Sequence, residues 1–252
     1  MLSSFLPGSS GAMVSVAPSA SVPETWCLRV QGLEKRFVLH HQGGVTLPVL
    51  QQFDLTVAPG ECLVLEGPSG SGKSTVLRLL YGNYLANAGS IQVMHAGAWV
   101  ELVGATPQTI LAVREQTLGY TSQFLRVIPR VAAVDIVAEP LRRQGVDPDA
   151  ARAEAVRWLA RLQIPSHLWN LPPGTFSGGE QQRVNIAHGL IRRHPILLLD
   201  EPTASLDARN CQVVIELIHE ALQGGAAIVG IFHDAAVRDA VATRRLSIRP
   251  TH

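Results

Sequence analysis

The stretch "GPSGSGKST", Gly67 to Thr75, sets Gly67, Gly72, Lys73 and Ser74 at the spacing G-x-x-x-x-G-K-[ST]. Glycines at those positions let a loop curl until successive backbone N–H groups point at phosphate oxygens. A helix opening near Lys73 adds its positive end. Lys73 supplies a mobile cation for outer phosphates, and the Ser74 hydroxyl suits Mg²⁺. The cradle is therefore Gly67, Pro68, Ser69, Gly70, Ser71, Gly72, Lys73, Ser74 and Thr75. A second run, "ILLLDEP", ends an apolar segment on Asp200 and Glu201. Asp200 is placed to hold Mg²⁺ through water, and Glu201 to polarise an attacking water. In a third run, "FSGGEQQRV", Ser177 and Glu180 have the spacing of a capping box. Gly178 and Gly179 leave the N–H groups of that helix's first turn uncovered, which makes a second anion-accepting N-terminus. It is either a capped helix with no ligand or a surface that meets a phosphate held by another subunit.

These residues need elements to position them. "PGECLVLEGPSGSGKSTVLRLLYG" reads as turn, strand, glycine-rich loop and helix. Cys62 to Leu65 is a short, fully apolar strand, as expected where both faces are covered. "TWCLRVQGLEKRF" and "LPVLQQFDLTV" alternate as strands do, and "GSIQVMHAGAWVELVGA" reads as a hairpin turning between His95 and Ala98. "VDPDAARAEAVRWLARLQI" is a helix with Asp147 as N-cap and Pro148 in its first position; Ala155, Leu159 and Leu162 share one face. A further helix starts at Ser177, and "PILLLDEP" and "AAIVGIFHD" are buried strands. The pattern is α/β with a helical insertion of roughly fifty residues, about 124–175. Within it, "GYTSQFLRVIPRVAAVDIVAEPL" turns apolar without a clean period, and Pro129 interrupts a helix there. Such a piece is core, or a docking surface beside a polar site.

Composition narrows the classes. The chain has 252 residues, 46% hydrophobic, ample for a core. A net charge of +1 gives no electrostatic case for nucleic acid. The 3 cysteines, Cys27, Cys62 and Cys211, are widely spaced and form no CxxC pair. They argue against a disulfide scaffold or a zinc site and fit a reducing, cytoplasmic compartment. No run of about eighteen apolar residues exists to insert in a membrane. Residues 1–24, rich in Ser, Ala, Pro and Gly, read as a disordered tail rather than a signal peptide, which leaves 25–252 as the folded domain.

The phosphate loop, "TSQ", "FSGGEQQRV", "LLLDEP", "ASLD" and "GIFHD" follow one another in an order that resembles the ABC ATPase family, over nearly the whole chain after the tail. The resemblance implies a P-loop fold with an inserted helical subdomain and an N-terminal antiparallel β part. It implies ATP and Mg²⁺, and head-to-tail dimers that sandwich ATP between the phosphate loop of one subunit and the signature helix of the other. Carried over, Lys73, Gln123, Glu201 and His233 would be catalytic, and Ser74, Gln123 and Asp200 would serve the metal. Ser177, Gly178, Gly179 and Asp207 would face the opposing nucleotide. Phe37 would stack on adenine. His40 and His41 point apart on a strand, which disfavours a metal site. His188 stands where many relatives carry arginine, which puts the helix packing there in question.

In transporters of this family, the segment corresponding to Phe124–Leu141 forms the groove for a coupling helix of the membrane subunit. Finer runs, "KRFVLHHQGGVTLPVL", "LYGNYL", "GAWVEL", "TSQFLRVIPR", "TFSGGEQQRVNIA" and "AAIVGIFHD", resemble the L-component family of the bacterial phosphonate carbon–phosphorus lyase system. That resemblance implies soluble partners, the carbon–phosphorus lyase core complex and a sister ATPase, the K component. It also implies a homodimer or heterodimer. The step served would couple a phosphonate to the ribose of a purine nucleoside triphosphate (α-D-ribose 1-methylphosphonate 5-triphosphate synthase activity). The alternative is the ATP-binding subunit of a membrane transporter. The two share every catalytic residue.

Overall fold

Two β-sheets and seven helices carry the described residues, 26–39, 44–123, 125 and 130–249 of a computed structural model. Strands β1 (Leu28–Leu39) and β2 (Val45–Val57) pair antiparallel, as do β1 with β4 (Ala88–His95) and β4 with β5 (Ala98–Glu101). The β4–β5 hairpin turns at Ala96 (φ 49) and Gly97 (φ 83), both left-handed, as a tight two-residue turn requires.

The second sheet is parallel, in the order β6 (Leu118–Thr121), β7 (Ile196–Asp200), β8 (Ala227–Ile231), β3 (Cys62–Glu66), β9 (Arg244–Ser247). Its strands separate two cores by the two-residue period of the pleat. Leu63, Leu65, Ile196, Leu198, Val229 and Ile231 face one core, shared with α1 (Lys73–Leu80) and the antiparallel sheet. Cys62, Val64, Leu197, Leu199 and Ile228 face the other, shared with the helical part. Cys27, Cys62 and Cys211 are buried free thiols, and burial pushes Cys27 up to about 11.

Between β5 and β6 lies α2 (Pro107–Gln116). The insertion consists of α3 (Ala133–Arg143), α4 (Pro148–Arg161) and two short 3₁₀ turns, followed by α5 (Gly178–Leu190). The chain then closes through α6 (Ala208–Gln223) and α7 (Ala235–Val241). Asp147 caps α4 as expected, accepting from the N–H groups of Asp149 and Ala150 at 3.0 Å each, and Ala155, Leu159 and Leu162 are buried. Ser177 caps α5 with both halves of the capping box present.

One expectation needs correcting. The stretch after Pro129 is not aperiodic: Ala133 to Arg143 is a regular helix, with Pro140 inside it. Ala133, Val134, Ile136, Val137, Ala138 and Pro140 are all buried, because α3 lies against both α4 and α5. Asp135, Glu139, Arg142 and Arg143 share the remaining face, so α3 is amphipathic with a broad apolar side. Leu125 packs on the helical core, whereas Phe124, Val127, Ile128 and Pro129 lie outside the described residues, as do His40, His41 and the segment 1–24.

Candidate active site

The parallel sheet gathers the site at the C-terminal ends of four neighbouring strands, where open α/β sheets take their ligands. β3 leads into the phosphate loop, β6 into Gln123, β7 into Asp200 and Glu201, and β8 into His233. Gly67 has φ 146, and a Cβ there would overlap the carbonyl oxygen of Ile248. Only glycine fits that corner. Lys73 Nζ folds over the loop, donating to the carbonyls of Gly67 (2.8 Å) and Pro68 (2.9 Å). The first turn of α1 holds no acid, so its positive end is not offset. Ser71 is 1% exposed, and its Oγ has no partner among the described residues. An orphaned buried hydroxyl, a curled lysine and an uncompensated helix N-terminus fit a bound phosphate chain.

Beside the loop, Asp200 is 2% exposed and accepts from Ser74 Oγ and Tyr120 OH, each at 3.0 Å. A buried carboxylate held only by neutral hydroxyls favours a cation nearby. One carboxylate and one hydroxyl also match Mg²⁺, which keeps most of its waters. Tyr120 escaped the sequence reading because no local pattern marks it. Burial, reinforced by the Asp200 charge, raises its phenol well above the ordinary range. Its ring stacks on Tyr81 at 5.0 Å.

Glu201 is the meeting point. Gln123 Nε2 donates to its Oε2 at 2.8 Å, and His233 Nε2 lies 2.7 Å from its Oε1. The backbone at Glu201 is left-handed (φ 54), and its N–H donates to Ile231 O at 3.0 Å, which ties β7 to β8 at the turn. The Glu201 side chain is 13% exposed, against 64% for His233, so the carboxylate is sheltered while the imidazole opens outward.

Ser177, Gly178 and Gly179 sit elsewhere, at the start of α5, where Ser177 N and Oγ both donate to Glu180 Oε2 at 2.8 Å. Those bonds hold Glu180 below the usual carboxylate range. Asp207 caps α6, accepting from Asn210 N at 2.8 Å, and the same N–H keeps its carboxyl low. Arg183 Nη1 donates to Asn210 Oδ1 at 3.2 Å and to Gln163 O at 2.8 Å, so the start of α5, the end of α4 and the Asp207 turn form one block. Phe37 meets the edge of Tyr84 at 5.4 Å, and the Lys35 ammonium lies 4.7 Å from its ring centroid. Neither partner was foreseen. His188 Nε2 lies 3.8 Å from Glu139 Oε2 and so links α5 to α3; the imidazole, then Arg143, lowers the Glu139 carboxyl.

The fold and this constellation define a P-loop ATPase of the ABC type, and the chain belongs to the ABC transporter family, whose pattern it matches over residues 50–204. Among relatives, the lipoprotein-releasing system ATP-binding protein LolD of Shewanella sp. (strain MR-4) is 40% identical over 208 residues, 82% of this chain and 87% of that one. The macrolide export ATP-binding/permease protein MacB of Rhodopseudomonas palustris (strain HaA2) is 33% identical over 210 residues, 83% of this chain and 31% of that larger protein. Among solved structures, the dimeric post-hydrolysis state of the ATP-binding cassette MJ0796 bound to ADP and Pi superposes with a TM-score of 0.79. That match has 25% identity and covers 88% of this chain and 94% of that one.

Proposed function

We propose that this chain binds and hydrolyses MgATP as the energising subunit of a larger assembly, working as an ATP-sandwich dimer. The convergence of Gln123 and His233 on the Glu201 carboxylate, beside the Ser74–Asp200 pair, carries this reading. The phosphate loop and Lys73 hold the phosphates. Ser74, Gln123 and Asp200 would hold Mg²⁺, which neutralises charge developing between the β- and γ-phosphates. Glu201 accepts the proton of the attacking water through its carboxylate oxygens. Gln123 and His233 orient that carboxylate and turn toward the γ-phosphate. Phe37 stacks on adenine with the ring face away from Lys35. Ser177, Gly178, Gly179 and Asp207 complete the site of the opposing subunit.

The relatives favour a membrane transporter as the assembly, since LolD and MacB are named for lipoprotein release and macrolide export. No helix among the described residues is long and apolar enough to cross a membrane. A cavity of about 400 Å³ between α2, β6, α3 and α5, lined by Tyr81, Leu111, Glu139, Arg143 and His188, would receive the partner's helix. The second reading rests on sequence runs such as "LYGNYL" and "TSQFLRVIPR". It makes this chain the ATPase that supports the phosphonate ribosyl triphosphate synthase step, docked on the carbon–phosphorus lyase core and its K component.

The test is a pull-down of the tagged Glu201→Gln chain with ATP, from cells grown on a phosphonate as sole phosphorus source. A polytopic membrane protein in the eluate supports the transporter. Soluble carbon–phosphorus lyase subunits support the second reading and exclude the first.

A further inference from the structure

Helix α5 carries two residues that weaken a helix, one turn apart on one face. Asn185 costs roughly 0.6 kcal/mol and Gly189 about 1 kcal/mol relative to alanine. Both meet the end of β6. Gly189 lies so close to Thr121 that a Cβ would overlap Thr121 Oγ1. That approach brings Asn185, 6% exposed, within reach of the chain that follows, and its Nδ2 donates to Ser122 O at 2.6 Å. Ser122 is the residue before Gln123, and Gln123 donates to Glu201. A continuous path of short hydrogen bonds thus runs from α5 to the central carboxylate within one subunit.

We propose that Asn185 is a positioning residue for hydrolysis: through the Ser122 carbonyl it sets where the Gln123 amide meets Glu201, and makes this meeting depend on the seating of α5. The inference rests on the reading of Glu201 as the proton acceptor. Asn185 acts through Ser122 and Gln123 and is not itself one of the groups on Glu201. Its amide donates to the Ser122 carbonyl, and a buried helix position tolerates asparagine because that carbonyl satisfies it. Gly189 gives the clearance and Asn185 gives the register.

Four variants test it: Asn185→Ala, Asn185→Asp, Gln123→Ala, and Asn185→Ala combined with Gln123→Ala. Asn185→Ala is expected to lower kcat about 5- to 20-fold while KM for ATP stays within about two-fold, since the phosphate cradle is untouched. In the Gln123→Ala background the same change is expected to alter kcat by less than about two-fold, because the path is already cut. Asn185→Asp keeps the size but sets an acceptor against the Ser122 carbonyl, and is expected to be at least as slow as the alanine variant.

Amide exchange of the full-length Asn185→Ala chain, followed over residues 118–123 without nucleotide, is expected to quicken about ten-fold. An equal kcat loss with and without Gln123 would reduce Asn185 to a packing residue and overturn the proposal. Parent-like turnover in Asn185→Asp, or unchanged exchange over 118–123, would also overturn it. A parent chain that hydrolyses no ATP would sink the proposed function instead, while the exchange result would still decide whether Asn185 holds the end of β6.

Discussion

At Glu201 the left-handed backbone costs a non-glycine residue about 1 kcal/mol or more. The turn it makes aims the carboxylate at both Gln123 and His233. Replacing the acid by its amide keeps the shape and removes the proton acceptor. Glu201→Gln is therefore expected to bind MgATP within a few-fold of the parent and to lose about 100-fold or more of its turnover, measured by phosphate release. Parent-like release would take Glu201 out of the chemistry. A different residue contributes to the response to acid. Burial, helped by the Arg192 charge, pushes the His194 imidazole down to about 4, whereas an unfolded chain titrates near 6.5. Between those values the unfolded state holds a proton that the folded state refuses. Stability is thus fully present above about pH 6.5 and drains as pH falls toward 4. At pH 5 the loss from this residue is about 1–2 kcal/mol. Urea midpoints at pH 7 and pH 5 should lie further apart in the parent than in His194→Gln; equal gaps would absolve His194.

The elements differ in how openly their sequences announce them. The cap of α4 is local: Asp147 holds two N–H groups and Pro148 sets the entry. Asp147→Ala should cost about 1 kcal/mol, seen as a lower Tm with ATP turnover unchanged, because the cap is remote from the site. The same local grammar made the α5 capping box, the β4–β5 turn and the phosphate loop legible. Helix α2 also carries it, in Thr106, whose Oγ1 accepts from Thr109 N at 3.2 Å, and in Pro107. Yet Val113 is its one buried residue, so no apolar stripe supports the caps. Helix α3 is the reverse case: it has a broad apolar face, but Ala132 offers no capping side chain and Pro140 lies inside it. Strands β6 and β9 have four residues each, and Arg244 and Arg245 in β9 hold no apolar signal. What makes β9 a strand is its partner, β3. In the site, residues with a motif around them were legible. Tyr120 and Asn185 were not, since their roles come from contacts across 80 and 63 residues of separation, and Tyr84 meets Phe37 from a separate part of the chain.

For the whole molecule, the start of α5 and the phosphate loop belong to separate parts of one chain, so a second subunit is what would complete the proposed site. Light scattering of Glu201→Gln should show a monomer without nucleotide and a dimer with MgATP, and Lys73→Ala in the same background should stay monomeric. A chain that dimerises equally with and without ATP would exclude the sandwich as the cause. The sheet order has another consequence, for synthesis. Among the described residues, strand β3, which carries the phosphate loop, pairs with β8 and β9, and Cys62 N finds its acceptor in Thr243 Oγ1, 181 residues later. A nascent chain exposes the loop early, but its flanking strand lacks its second neighbour until Arg244–Ser247 has been made. At about 5–20 residues per second, that interval is roughly 10–40 s. Ribosome-stalled chains ending before Arg244 should fail to retain ATP, whereas chains extended past Ile248 and clear of the exit tunnel should retain it. The proposed nucleotide would then read whether the parallel sheet has received its β9 edge.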